Sequence, residues 1–89
     1  MSEELRQVLG NLNDEDLSKY AKLILEAYDN EGKLSVRFIG DDGGKSVLLK
    51  PLVDKGIFYK PSMGYQNNLI YTLSHHKGRR IAEKLKLEK

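Results

Sequence analysis

Residues 45–85, KSVLLKPLVDKGIFYKPSMGYQNNLIYTLSHHKGRRIAEKL, constrain this chain more than any other feature. They read without a break as helix, glycine stop, strand, polar hairpin tip, strand and helix. Val47, Leu48, Leu52 and Val53 keep helical spacing, and Gly56 follows where a chain leaving a helix often takes positive φ. Residues 57–59 and 69–73 are rich in β-branched and aromatic side chains. Between them stand Pro61, Ser62, Gly64, Asn67 and Asn68, all turn formers, so the two runs predict a hairpin with a loop of several residues. Ser74 is placed to cap a last helix with the buried stripe Ile81, Ala82 and Leu85, and Gly78 permits a neighbouring element to come close.

Two parts of this stretch carry a resemblance. Leu52-Val53-x-Lys55-Gly56-Ile57-Phe58, followed by Tyr71-Thr72-Leu73-Ser74-x-x-x-Gly78-Arg79-Arg80-Ile81-Ala82, resembles winged-helix regulators of the MarR and PadR kind and their small archaeal relatives. The resemblance covers roughly the last sixty residues. It implies an α+β fold, mostly α: a winged helix-turn-helix with a two-stranded wing and additional N- and C-terminal helices. It also implies that the helix from Lys45 enters the major groove of DNA with its first turns.

The preceding residues supply the rest of such a fold. Residues 2–9 are a short helix candidate ended by Gly10, and Asn13 with Asp16 can cap a longer one through Tyr28. Leu17, Tyr20, Ala21, Ile24, Ala27 and Tyr28 form one stripe at helical spacing, which makes the two tyrosines core residues rather than ligand contacts. Residues 29–32 stop this helix, and Lys33-Leu34 is the expected short first strand. Residues 35–40 then predict the first helix of the helix-turn-helix, although Leu34, Val36 and Phe38 also alternate like a strand. Residues 41–44, Asp-Asp-Gly-Gly, would form the turn, with Asp42 or Ser46 capping the next helix. Pro51 predicts a kink in that helix or a late start. The expected organisation is one domain over residues 1–89: a helical extension at 1–12, then the winged-helix core with its C-terminal helix.

With 89 residues and 39% hydrophobic content, one small domain with a modest core is what the length allows, and a partner chain would help it. The absence of cysteine excludes disulfides and thiolate metal sites. No apolar run reaches the roughly 20 residues that span a bilayer, and the acidic start is unlike a signal peptide, so a cytoplasmic protein is expected. The net charge of +2 hides an asymmetry. Residues 1–32 hold eight acidic against three basic side chains (−5), and residues 33–89 hold twelve basic against five acidic (+7). An anionic partner fits this distribution, because each neutralised phosphate releases condensed counterions.

The expected partner is double-stranded DNA, read in a sequence-specific manner by a transcriptional regulator. Lys45, Ser46 and Lys50 lie off the apolar stripe of the recognition helix, where they could reach base edges or flanking phosphates, and Arg37 on the preceding helix could touch the backbone. In the wing, Lys60, Tyr65, Gln66 and Asn67 are placed for the adjacent minor groove or its phosphates, with Lys77, Arg79 and Arg80 supporting from the last helix. The alternative is a winged helix used as a protein-interaction module within a larger nucleic-acid-processing assembly.

Other chemistry is thin. The string Gly40-Asp41-Asp42-Gly43-Gly44-Lys45-Ser46 is one residue out of register with a nucleotide-binding G-x-x-x-x-G-K-[ST] loop, and its two carboxylates would face the phosphates. Adjacent His75 and His76 diverge by roughly 100° in a helix and do not form a metal pair. No enzyme, cofactor, metal or nucleotide is therefore expected. A homodimer is, with the seam on the first helix at Leu5, Val8 and Leu9 or on the last at Leu85 and Leu87, the first helix being favoured because the like-charged basic C-termini would repel each other.

Overall fold

Backbone hydrogen-bonding groups at helix ends need partners, and this sequence supplies them locally. In a computed structural model, which describes residues 3–10, 12–37, 45–64 and 68–87, the Asn13 side chain accepts a 2.8 Å bond from the Asp16 N–H and opens the longest helix. The elements in order are α1 (Glu3–Leu9), α2 (Asp14–Asp29), β1 (Lys33–Arg37), α3 (Lys45–Asp54), β2 (Ser62–Met63), β3 (Asn68–Thr72) and α4 (Lys77–Leu87). The result is a small α+β fold, mostly helical, with one antiparallel sheet in the order β1-β3-β2.

The α2 stripe behaves as its spacing requires. Leu17, Ala21, Ile24 and Ala27 are buried, and Tyr20 and Tyr28 are half-buried against the same core. In α4 the expected Ile81, Ala82 and Leu85 are all buried. Lys86 and Asp29 form a 2.6 Å ion pair between the ends of α4 and α2, joining the basic and acidic parts of the chain. The sheet turns Leu34, Val36, Leu69, Tyr71 and Leu73 inward, and the Phe58 and Tyr71 rings meet edge to face at 6.3 Å.

Several expectations are corrected. Residues 35–37 do not begin a helix: they continue β1, where Ser35 pairs with Ile70, Val36 with Leu69 and Arg37 with Asn68. The strand-like alternation of Leu34 and Val36 prevails because β3 lies alongside to bury both, something helical local propensity cannot match. The remaining residues of that expected helix, and the turn at 41–44, lie outside the described residues. Leu5 of α1 is not an exposed seam residue; it is fully buried, and Val8 and Leu9 are half-buried against the core. Burying a leucine contributes about 1.5–3 kcal/mol, which suffices to dock a short helix. An Arg6–Asp14 ion pair at 2.7 Å also links α1 to α2. Leu85 likewise belongs to the core, leaving Leu87, 85% exposed, as the apolar residue at that end. In α3, Val47 is not on the buried stripe: Leu48, Leu49, Leu52 and Val53 face inward and Val47 is 74% exposed. Pro51 does not delay α3, which runs through it from Lys45 to Asp54.

The turn from α3 into the hairpin is fixed by Gly56. At φ 79° it lets its own N–H bond the Val53 carbonyl at 3.0 Å and the Ile57 N–H bond the Leu52 carbonyl at 2.9 Å. This paired closure satisfies the orphan carbonyls and carries Ile57 straight into the core. The hairpin then holds a register change. Phe58 lies opposite Leu73, whereas Ser62 lies opposite Ile70, so four steps on one strand match three on the other. The extra residue falls at Lys60-Pro61, a bulge where proline's missing N–H breaks no ladder bond. Pairing thus reaches further toward the tip than residues 57–59 alone predict, and the Gly64 N–H closes on the Asn68 carbonyl at 2.6 Å.

Candidate nucleic-acid interface

The outer surface of α3 follows from which of its side chains the core takes. With 48, 49, 52 and 53 inward, positions 47, 50 and 54 fall on the opposite side, and Val47, Lys50 and Asp54 are all exposed. Lys45 and Ser46 form the first turn of the same helix. Of the expected α3 contacts, Lys50 therefore stands free of the core. Arg37 is not on a helix preceding α3; it ends β1 at the edge of the sheet, level with Asn68.

On the hairpin, Lys60 is exposed at the bulge, and Ser62 and Met63 project from β2, Met63 at 59% exposure. Tyr65, Gln66 and Asn67 lie outside the described residues, between the Gly64 and Asn68 backbone groups that close the hairpin. At the start of α4, Arg79 and Arg80 are exposed and Lys77 is half-buried. The Lys77 stem passes beside Gly56, its Cδ 3.9 Å from where a Cβ on that glycine would stand. The α4 start and the C-terminal turn of α3 thus form one corner.

That corner contains a pair the sequence reading missed. The Tyr59 hydroxyl accepts a 3.1 Å bond from the His75 backbone N–H, and the two rings meet edge to face at 5.7 Å. Tyr59 remains 45% exposed and His75 is exposed, so the pair presents polar aromatic surface between Lys60 and Lys77. The signal was the hairpin itself: the Tyr59 N–H bonds the Thr72 carbonyl at 2.8 Å, which sets Tyr59 level with the residues leading into α4.

The base of the corner is packed to backbone contact. The Ile57 carbonyl accepts the Ser74 N–H at 2.9 Å, and the buried Ser74 hydroxyl accepts the Gly78 N–H at 2.7 Å. A Cβ on Gly78 would stand 2.2 Å from the Ile57 oxygen. The close approach expected of Gly78 is therefore to the α3–β2 connection, and Ser74 caps α4 as its position suggested.

Among the described residues no three His, Cys, Asp or Glu side chains gather to hold a metal ion, and no helix is long and apolar enough to cross a membrane. The surface depression along Asp14, Glu15, Ser18, Lys19 and Lys22 on α2 is shallow, open and of mixed charge. Most of the string resembling a nucleotide loop lies outside the described residues. Comparison with known proteins found no matching family model, no similar curated protein and no similar solved structure.

Proposed function

We propose that the chain is a winged-helix module that binds double-stranded DNA as a sequence-specific regulator, with α3 in the major groove and the β2–β3 hairpin on the adjacent minor groove or backbone. One observation carries the reading: α3 runs directly into a hairpin whose sheet has the order β1-β3-β2, all within the half of the chain that carries +7. A helix with Lys50 outward and a wing with Lys60 outward offer donors on two elements, as groove and backbone contacts require. The role asks no chemistry of the chain beyond binding.

The exposed Val47 and Met63 support a second reading, a winged helix that docks on a protein of a larger assembly. A dimer belongs to the first proposal, but its seam moves from α1, whose Leu5 is inside the core, to the α4 end at Leu87. Light scattering of the free chain and of its DNA complex reads that mass. Titration with salt separates the two functions. Duplex affinity should fall linearly on logarithmic axes with a slope of about −0.9 per phosphate neutralised. Failure to retain any duplex at low salt would favour the protein-docking module.

A further inference from the structure

A single apolar side chain on a surface needs no explanation in itself. Val47 differs by its place. It lies in the first turns of α3, in a helix whose Leu48, Leu49, Leu52 and Val53 all serve the core, and it precedes exposed Lys50 by three residues on the same outer face. Three residues advance a helix by about 4.5 Å, close to the roughly 3.4 Å between successive base pairs along one strand. Two side chains so spaced meet neighbouring base pairs.

Their chemistries differ in a way the major groove can use. Thymine alone presents a methyl group there, which apolar side chains contact, and guanine presents the O6 and N7 acceptors that lysine bonds. Val47 has no donor and no length, so it can act only where the backbone comes close to the bases, as the first turns of an inserted helix do. Asp54 closes the same face at the other end of α3, and its carboxylate repels phosphates. The helix is thus suited to enter by its N-terminal turns and to leave the groove toward Asp54.

Building on the duplex-binding reading above, we propose that Val47 is a specificity residue that packs on the 5-methyl group of a thymine, and that Lys50 bonds O6 and N7 of a guanine on the neighbouring base pair. The test uses the full chain and duplexes selected from a randomised pool. Each thymine of the selected site is replaced in turn by deoxyuridine, which lacks only the methyl, and each guanine by 7-deazaguanine, which lacks only the N7 acceptor. At one thymine the wild-type chain should lose about fourfold in affinity, the transfer free energy of one methyl group. Val47→Ala, with a shorter apolar side chain, should lose most of that penalty, with an unchanged salt slope. Alanine is a better helix former than valine at an exposed site, so loss of fold does not confuse the result. Lys50→Met should likewise become indifferent to 7-deazaguanine at the neighbouring pair. An undiminished uracil penalty in Val47→Ala, or none in the wild type, overturns the assignment while leaving DNA binding intact. No retained duplex at low salt overturns both and points to a protein partner for this face.

Discussion

The corner where α3 ends and α4 begins and the wing that projects from it are built on opposite plans. At the corner, backbone meets backbone: the Ile57 carbonyl takes the Ser74 N–H, the Ser74 hydroxyl takes the Gly78 N–H, and no space is left for a methyl group at Gly78. On the wing, β2 is two residues long, both exposed, and a bulge at Lys60-Pro61 precedes it. The corner fixes the angle between α3 and the hairpin, and the wing presents side chains that the fold does not need. Residues the fold needs and residues it leaves exposed thus stand only a few positions apart.

Gly78→Ala tests that division most severely. The added Cβ meets a carbonyl oxygen of the main chain rather than a flexible side chain, so overpacking should cost about 3 kcal/mol and lower the melting temperature by roughly 15 °C. A variant that melts with the wild type would show that the corner can open without loss. Leu5→Ala should cost about 2 kcal/mol in denaturant unfolding, near the low end for a buried leucine because a terminal helix can relax. Leu87→Ala should stay within about 0.5 kcal/mol at protein concentrations too low for a dimer, since that side chain is exposed on the single chain. Equal effects would place α1 outside the packed region.

On the wing side, Lys60→Ala should leave the melting temperature unchanged and weaken binding to all duplexes nearly equally. Its salt slope should flatten by about one unit, as loss of one phosphate contact requires. Altered discrimination at constant slope would make Lys60 a base reader. The smallest effect concerns Tyr71, on the strand that runs from the wing into the core. Burial raises its phenol above the ordinary value of 10.0, because the phenolate would lose hydration there. A raised folded value means that the associated stability is complete below pH about 10 and is lost as pH rises through the folded value. Tyr71→Phe should remove that component, so its urea midpoint should fall less steeply than the wild type's in alkaline solution. Lysine titration is common to both chains. Parallel curves would mean that the phenol reaches water.

Several features are legible in the sequence because their causes lie within a few residues. Asn13 reaches Asp16 one turn away, Gly56 closes α3 on Leu52 and Val53, and Ile81, Ala82 and Leu85 share one side of α4 whatever packs there. Within the candidate interface, the exposure of Lys50 and Lys60 is legible in the sequence, since charged side chains remain exposed unless paired. Arg37 was placed on the wrong kind of element, and the Tyr59–His75 pair was missed.

Tertiary structure decided what depends on distant neighbours. Whether Ser35, Val36 and Arg37 extend or coil is settled by β3, which reaches them from more than thirty residues away. Period-2 alternation over so short a run fits strand and helix alike until a partner strand supplies the hydrogen bonds. Which of two apolar residues two positions apart, Val47 or Leu49, faces inward depends on the rotation of α3 about its axis, set by the surface it rests on. Leu5 is a core residue because α2 is there to cover it, and Tyr59 meets His75 because the bulged hairpin folds back to the start of α4. Caps and stops act along the chain and are written into it; burial and register act across space, where the sequence alone carries no coordinate.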